Sequence, residues 1–170
     1  MSNKVYTVGH SNHEIEYFHE ILEAHSINCI IDVRSVPASA YTPQFNKDNL
    51  KNYLRAHNIQ YLHFGEEFGA RRTDYDCLDE NGQIDFLKVS RTTKFLKGVE
   101  RLERGLTKGF NISLMCSEAE PIECHRFALI SRYLKDNGFR ICHILKDKSI
   151  REQEEVEKEM IDEYINKGKI

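Results

Sequence analysis

Short apolar runs alternate with amphipathic stretches along most of this chain. Val5 to Val8, closed by Gly9, and Cys29-Ile30-Ile31 with Val33 have the composition of strands covered on both faces. Between them Ile15, Phe18 and Leu22 recur at helical spacing, with Asn12 as the expected cap and Glu14 and Glu16 supplying acid to the first turn. A loop with Pro37 and Pro43 precedes a short helix over 48–57 and a third strand over 59–64. The charged, turn-rich stretch from Gly65 to Ile84, which includes Asn81-Gly82, is the expected insertion or lid. A long helix then carries Phe95, Val99, Leu102 and Leu106 on one stripe, with Gly105 and Gly109 near its end, and leads into a fourth strand over 111–116.

The next helix points Phe127, Ile130 and Leu134 inward and stops at Asn137-Gly138, before a fifth strand over 139–145. A Ser149…Glu152 capping box is expected to open a charged final helix, whose Val156, Met160 and Tyr164 side docks on the domain or on a twin chain in a homodimer. Strand and helix in alternation predict a single α/β domain over residues 1–170, three-layered, with a mostly parallel sheet and helices on both faces. In such sheets ligands bind beyond the carboxyl ends of the strands. Here those exits are Gly9-His10-Ser11, Asp32-Val33-Arg34, His63-Phe64-Gly65 and Cys116-Ser117-Glu118, far more polar than the strands they follow.

Composition narrows the function. The chain of 170 residues, 40% hydrophobic, is long enough to bury a core without staples. Its net charge of -3 argues against coating nucleic acid. The start lacks a signal-peptide pattern and no apolar run approaches bilayer length, so a cytoplasmic protein with no membrane partner is expected. Its five cysteines are then reduced thiols.

The motifs at the exits resemble a known family. Thr7-Val8-Gly9-His10-Ser11, Asp32-Val33-Arg34-Ser35-Val36-Pro37 with Ser39 and Phe45, Gly69-Ala70-Arg71-Arg72, and Cys116-Ser117-Glu118 with Pro121 and Cys124-His125-Arg126 run in the order found in the domain-of-unknown-function family numbered 488. The resemblance implies an α/β domain and marks these motif positions as candidate functional residues; it implies no reaction. Glu120 stands where the family often has Asp, and Gly69-Ala70 where paired glycines are common. The first departure weakens a helix cap, because Asp reaches the orphan amides better than Glu.

Cys116 ends a strand just before a helix, where unpaired amides and the helix dipole favour a thiolate, suiting a nucleophile or a metal ligand. Cys124, one turn before Phe127, is expected to face inward, from where it could resolve a sulfenic acid or close a reversible disulfide, although C-x-x-C spacing is absent. The cysteine loops of phosphatases and sulfurtransferases place an arginine about six residues on. Here that position is Ile122, and Arg126 comes ten after Cys116. A mixed zinc site of His10, His63, His125 and the two thiols is disfavoured because adjacent Cys124 and His125 diverge on a helix, so no metal and no cofactor is assigned.

The leading expectation is a small enzyme acting on an anionic substrate: a phosphorylated or nucleotide-like small molecule, or a nucleic-acid end. Cys116 is the nucleophile, His10 or His125 moves protons, Glu118 is a proton-transfer carboxylate if desolvated, and Asp32 orients Arg34. Arg34, Arg71 and Arg126 hold the anion, with Ser11 and Ser35 beside them and Phe45, alongside Tyr41, stacking on a planar ligand or anchoring its loop. The alternatives are a nucleotide- or nucleic-acid-binding regulatory module without turnover, and a thiol or zinc sensor.

Overall fold

A computed structural model describes residues 3–72 and 75–168. The chain order is β1 (Lys4–Gly9), α1 (Ile15–Ala24), β2 (Cys29–Asp32), α2 (Lys47–Ala56), β3 (Gln60–His63), α3 (Gly65–Phe68), α4 (Phe86–Ser90), α5 (Thr93–Thr107), β4 (Ile112–Cys116), a π-helix (Arg126–Ser131) continuing into α6 (Arg132–Asp136), β5 (Arg140–Ile144), β6 (Ile150–Glu152) and α7 (Gln153–Asn166). The six strands form one sheet in the order β3-β2-β4-β1-β5-β6, parallel except for the β5–β6 pair.

Two apolar layers cover the sheet, which makes the fold three-layered, as the alternation of runs predicts. Side chains alternate across a strand. Tyr6, Val8, Ile30, Met115 and Ile144 meet Phe18, Leu22, Leu50 and Leu54 of α1 and α2 on one face. Val5, Ile31, Leu114 and Ile141 meet Phe95 and Leu102 of α5, and Leu129, Ile130 and Leu134 of the π-helix and α6, on the other. The chain leaves β1 and β2 for the α1–α2 face and leaves β4, which lies between them, for the opposite face. This reversal flanks the carboxyl end of β4 on both sides and is where a doubly wound sheet opens a crevice.

Several local expectations shift. Glu14, not Asn12, holds the cap position of α1, and it makes no side-chain cap bond. The final capping box lies three residues later than the Ser149 pattern: Glu152 and Glu155 exchange the reciprocal bonds, because 150–152 is taken up as the antiparallel edge strand β6. The turn-rich stretch after β3 is a packed connection rather than a lid at its ends, since Phe68 of α3 and Cys77 are buried in the core. The central residues 73 and 74 lie outside the described part. On α7, Val156 docks while Ile161 and Ile165 stay exposed. No helix among the described residues is long and apolar enough to cross a membrane.

Candidate functional site

Two hydrogen-bonded clusters meet at the carboxyl end of β4. The first grows from β2. Asp32 is fully buried, and its carboxylate grips the Arg34 guanidinium in a fork, Nε at 2.9 Å and Nη2 at 2.7 Å, while also accepting the Arg34 amide and the Tyr61 hydroxyl at 2.6 Å. Residues two apart on a strand share a face, which is why this pair can close locally. Arg34 also donates from Nη2 to the Phe45 carbonyl and from Nη1 to His10 Nε2 at 3.0 Å. Four of its five N–H donors are thus taken within the protein.

Hydrogen bonds fix the tautomer of His10. A carbonyl only accepts, so Nδ1 donates to the Ser11 carbonyl at 2.7 Å and Nε2 accepts from Arg34. Ser11, at φ +49, turns its carbonyl into this contact. Burial and then the Arg34 charge lower the His10 pKa to about 4, so the ring is neutral at neutral pH. Phe45, also fully buried, stacks on the ring at 4.3 Å and meets Phe18 edge-on. It anchors its loop and is closed to a ligand; the aromatic left in solvent there is Tyr41, 97% exposed.

The second cluster grows from β4. β1 and β4 stay paired past their ends through His10 N to the Cys116 carbonyl and Ser11 N to the Ser117 carbonyl. The turn from Ser117 then folds over Gly9 so closely that a Cβ there would lie 1.8 Å from the Glu118 carbonyl oxygen. Pro121 opens a short 3-10 turn, which Glu120 precedes without a side-chain cap bond, and the chain returns through Cys124, His125 and Arg126. The π-helix that follows is a rare geometry found often at functional sites.

Arg126 is completely buried beneath this turn. It donates from Nη1 to the Glu118 carbonyl at 2.7 Å and to Cys116 Sγ, and from Nη2 to the Ala119 carbonyl at 3.2 Å. No carboxylate among the described residues forms an ion pair with it. Cys124 Sγ donates to Cys116 Sγ across 2.7 Å and receives the Arg126 amide at 3.4 Å. Cys116 and Cys124 are 1% and 4% exposed. The bond to Cys116, followed by burial, pushes the Cys124 thiol far up.

Glu118 is exposed at the surface, yet its carboxylate reaches within 4.8 Å of both sulfurs. Burial raises its pKa, but hydrogen bonds from Cys116, its own amide and Cys124 outweigh that and hold it below the ordinary carboxylate value. His125 lies against Cys124, Nδ1 to Sγ 3.6 Å, and burial lowers its pKa against the opposing pull of the Glu118 charge and the Val33 and Phe68 backbone. The remaining thiols serve as contrasts: burial raises Cys29 to about 11 and also raises Cys142.

The structure therefore brings Cys116, Glu118, His125 and Arg126 together, and beside them Asp32, Arg34, His10 and Ser11. Ser35 is used to anchor a loop, its hydroxyl receiving the Arg71 amide at 2.9 Å, and Arg71 itself is exposed. Cys124 faces inward against Cys116, and Tyr61 joins the site without any expectation from the sequence. Tyr61, on an edge strand, offered no signal in the sequence. The two sulfurs and Glu118 form a donor set of zinc type, but the Arg126 charge against Cys116 opposes a dication there. Two grooves, of about 350 Å³ beside α5 and about 410 Å³ between the π-helix and α7, are lined by other residues.

A second buried histidine stands one strand further along. His143 on β5 donates from Nε2 to Gln153 Oε1 at 2.7 Å and accepts from the Thr7 hydroxyl at 2.8 Å; burial above all lowers its pKa to about 4. A histidine whose folded pKa lies below its unfolded value of 6.5 stabilises fully above pH 6.5 and loses that contribution as pH falls toward 4, because only the unfolded chain takes up the proton. Urea unfolding should show a loss of roughly 2 kcal/mol per buried histidine between pH 7.5 and 5. His143→Gln should remove its share of that slope, and an unchanged slope would refute the assignment.

Comparison with known families supports the resemblance. A model described as Domain of unknown function DUF488 matches residues 14–134, a span that takes in β2, β4 and both cysteines of the site. No curated protein and no solved structure matches the chain. With most of its length covered by that model, the chain belongs to the DUF488 family.

Proposed function

We propose that the protein is a small cysteine-dependent enzyme of the cytoplasm in which Cys116 is the reacting group. Arg126 is its electrostatic partner, while Glu118, exposed and held below the ordinary carboxylate value, stands beside the pair as an anion. One observation carries this reading: a completely buried guanidinium, lacking a carboxylate partner among the described residues, is set directly on the Cys116 sulfur. A buried charge is costly unless it meets an opposite one, and the sulfur is the group in contact that can become anionic. The Asp32–Arg34–His10 cluster is then the rigid wall that fixes the β2 exit, with His10 positioning Arg34 rather than moving protons, since both its nitrogens are occupied.

A phosphorylated, nucleotide-like or nucleic-acid substrate draws less support from the geometry. Arg34 retains one free donor and Arg126 is directed at backbone carbonyls and sulfur, so an anion could be held only by displacing existing bonds. The test is competitive labelling of the reduced, folded protein with iodoacetamide at pH 7, read by peptide mapping. Cys116 should react about tenfold or more faster than Cys29, Cys77 and Cys142. Arg126→Met should erase the difference while circular dichroism shows the fold retained. Labelling of Cys116 no faster than that of the core thiols in the wild-type protein overturns the proposal, whatever the variant does.

A further inference from the structure

Three features of the cysteine site restrict what Cys116 can react with. Cys116 is 1% exposed beneath the Ser117–Ala119 turn, a burial that excludes all but a small reagent. A second thiol already touches it at 2.7 Å and donates its hydrogen toward it, so an oxidised Cys116 would be met at once without chain rearrangement; a disulfide needs only closure to about 2.05 Å. A guanidinium flanks the pair, placed to stabilise negative charge on a departing oxygen. A neighbouring thiol attacks sulfur only once that sulfur is oxidised, so the contact suits a redox cysteine.

We infer that the Cys116–Cys124 pair is a dithiol centre that reduces small hydroperoxides. The inference rests on Cys116 being the reactive sulfur and adds the substrate class. In the first step the Cys116 sulfur attacks the terminal oxygen of ROOH; the S–O bond forms and the O–O bond breaks. The thiol proton passes to the departing alkoxide. The products are Cys116 sulfenic acid and ROH, the sulfur having lost the two electrons that the peroxide gained. In the second step Cys124 attacks the sulfenic sulfur; its proton leaves with the hydroxide as water, and the Cys116–Cys124 disulfide remains. An external dithiol returns the pair to the reduced state by exchange.

The experiment treats the reduced full chain with hydrogen peroxide and follows peroxide consumption, free thiols and non-reducing peptide maps. Two of the five thiols should disappear together, in one peptide pair joining Cys116 and Cys124. Their loss should run at least about a hundredfold faster than oxidation of the other three. Cys124→Ser should leave a sulfenic acid on Cys116 that dimedone traps, and Cys116→Ser should abolish peroxide consumption. Thiol loss spread evenly over all five cysteines, or Cys116 passing to sulfinic acid with no Cys116–Cys124 disulfide, overturns the inference. The wild-type map decides this alone if either variant fails to fold. Fast alkylation of Cys116 with no peroxide-driven disulfide would sink the substrate class and leave the reactive cysteine standing; slow alkylation would sink both.

Discussion

Gly9→Ala is expected to destabilise the domain by about 3 kcal/mol or more, well beyond the usual effect of adding one methyl group. The new Cβ would lie 1.8 Å from the Glu118 carbonyl oxygen, 2.5 Å from its carbon and 2.9 Å from the Ala119 Cα. All three are backbone atoms, and the Glu118 carbonyl, with that of Ala119 beside it, holds the Arg126 guanidinium, so relief by moving the turn strips the buried charge of its acceptors. Urea unfolding measures the first effect. Iodoacetamide labelling measures the second, since a displaced turn should erase the selectivity for Cys116. An unfolding midpoint within the error of the wild type would mean that the turn does not pack on Gly9 as described.

The second large effect is at Asp32. Asp32→Ala leaves Arg34 buried without its counter-charge and Tyr61 without its acceptor, and breaking a buried pair from one side costs about 3–5 kcal/mol. The sharper form is a pair of variants. Asp32→Leu combined with Arg34→Met removes both charges and should recover most of the stability lost by Asp32→Ala, because well-packed apolar groups replace buried ion pairs at little cost. Chemical denaturation of the three proteins gives the comparison. If the double variant is as unstable as the single one, the damage comes from lost packing and not from an orphaned charge. Labelling of Cys116 should survive in the double variant if this cluster is scaffold rather than chemistry.

The sheet was legible because its strands are short apolar runs with nothing else to do. Ile112 to Cys116, and Arg140 to Ile144 after Gly138 at φ +86, lie where the pattern puts them, and the polar exits converge on β4 as the parallel crossovers require. What the pattern could not carry was decided by tertiary partners. β6, only Ile150–Glu152, has no apolar signature and exists because β5 offers it an edge, which in turn moves the capping box to Glu152. Phe45 looked equally fit to stack on a ligand or to hold its loop, and burial on His10 settles that it holds the loop. The types of the site residues were readable, but their saturation was not. Residue identity says that Arg34 and Arg126 are cations, whereas only coordinates count how many of their hydrogens are already committed.

The π-helix sets the helical phase of the whole second half of the site. Closing its turns from i to i+5 accommodates one residue more than an α-helix would over the same rise, and each α-helical residue rotates the chain by about 100°. That additional residue allows Leu129, Ile130 and Leu134 to face the sheet while Arg126, at the start of the same segment, still turns back under the 117–119 turn to reach sulfur. A relative lacking one residue between 126 and 131 could retain its apolar stripe and its cysteines and yet swing the guanidinium off them. Length within that single turn, more than the presence of the arginine, would then separate chains that keep this chemistry from chains that keep only the fold.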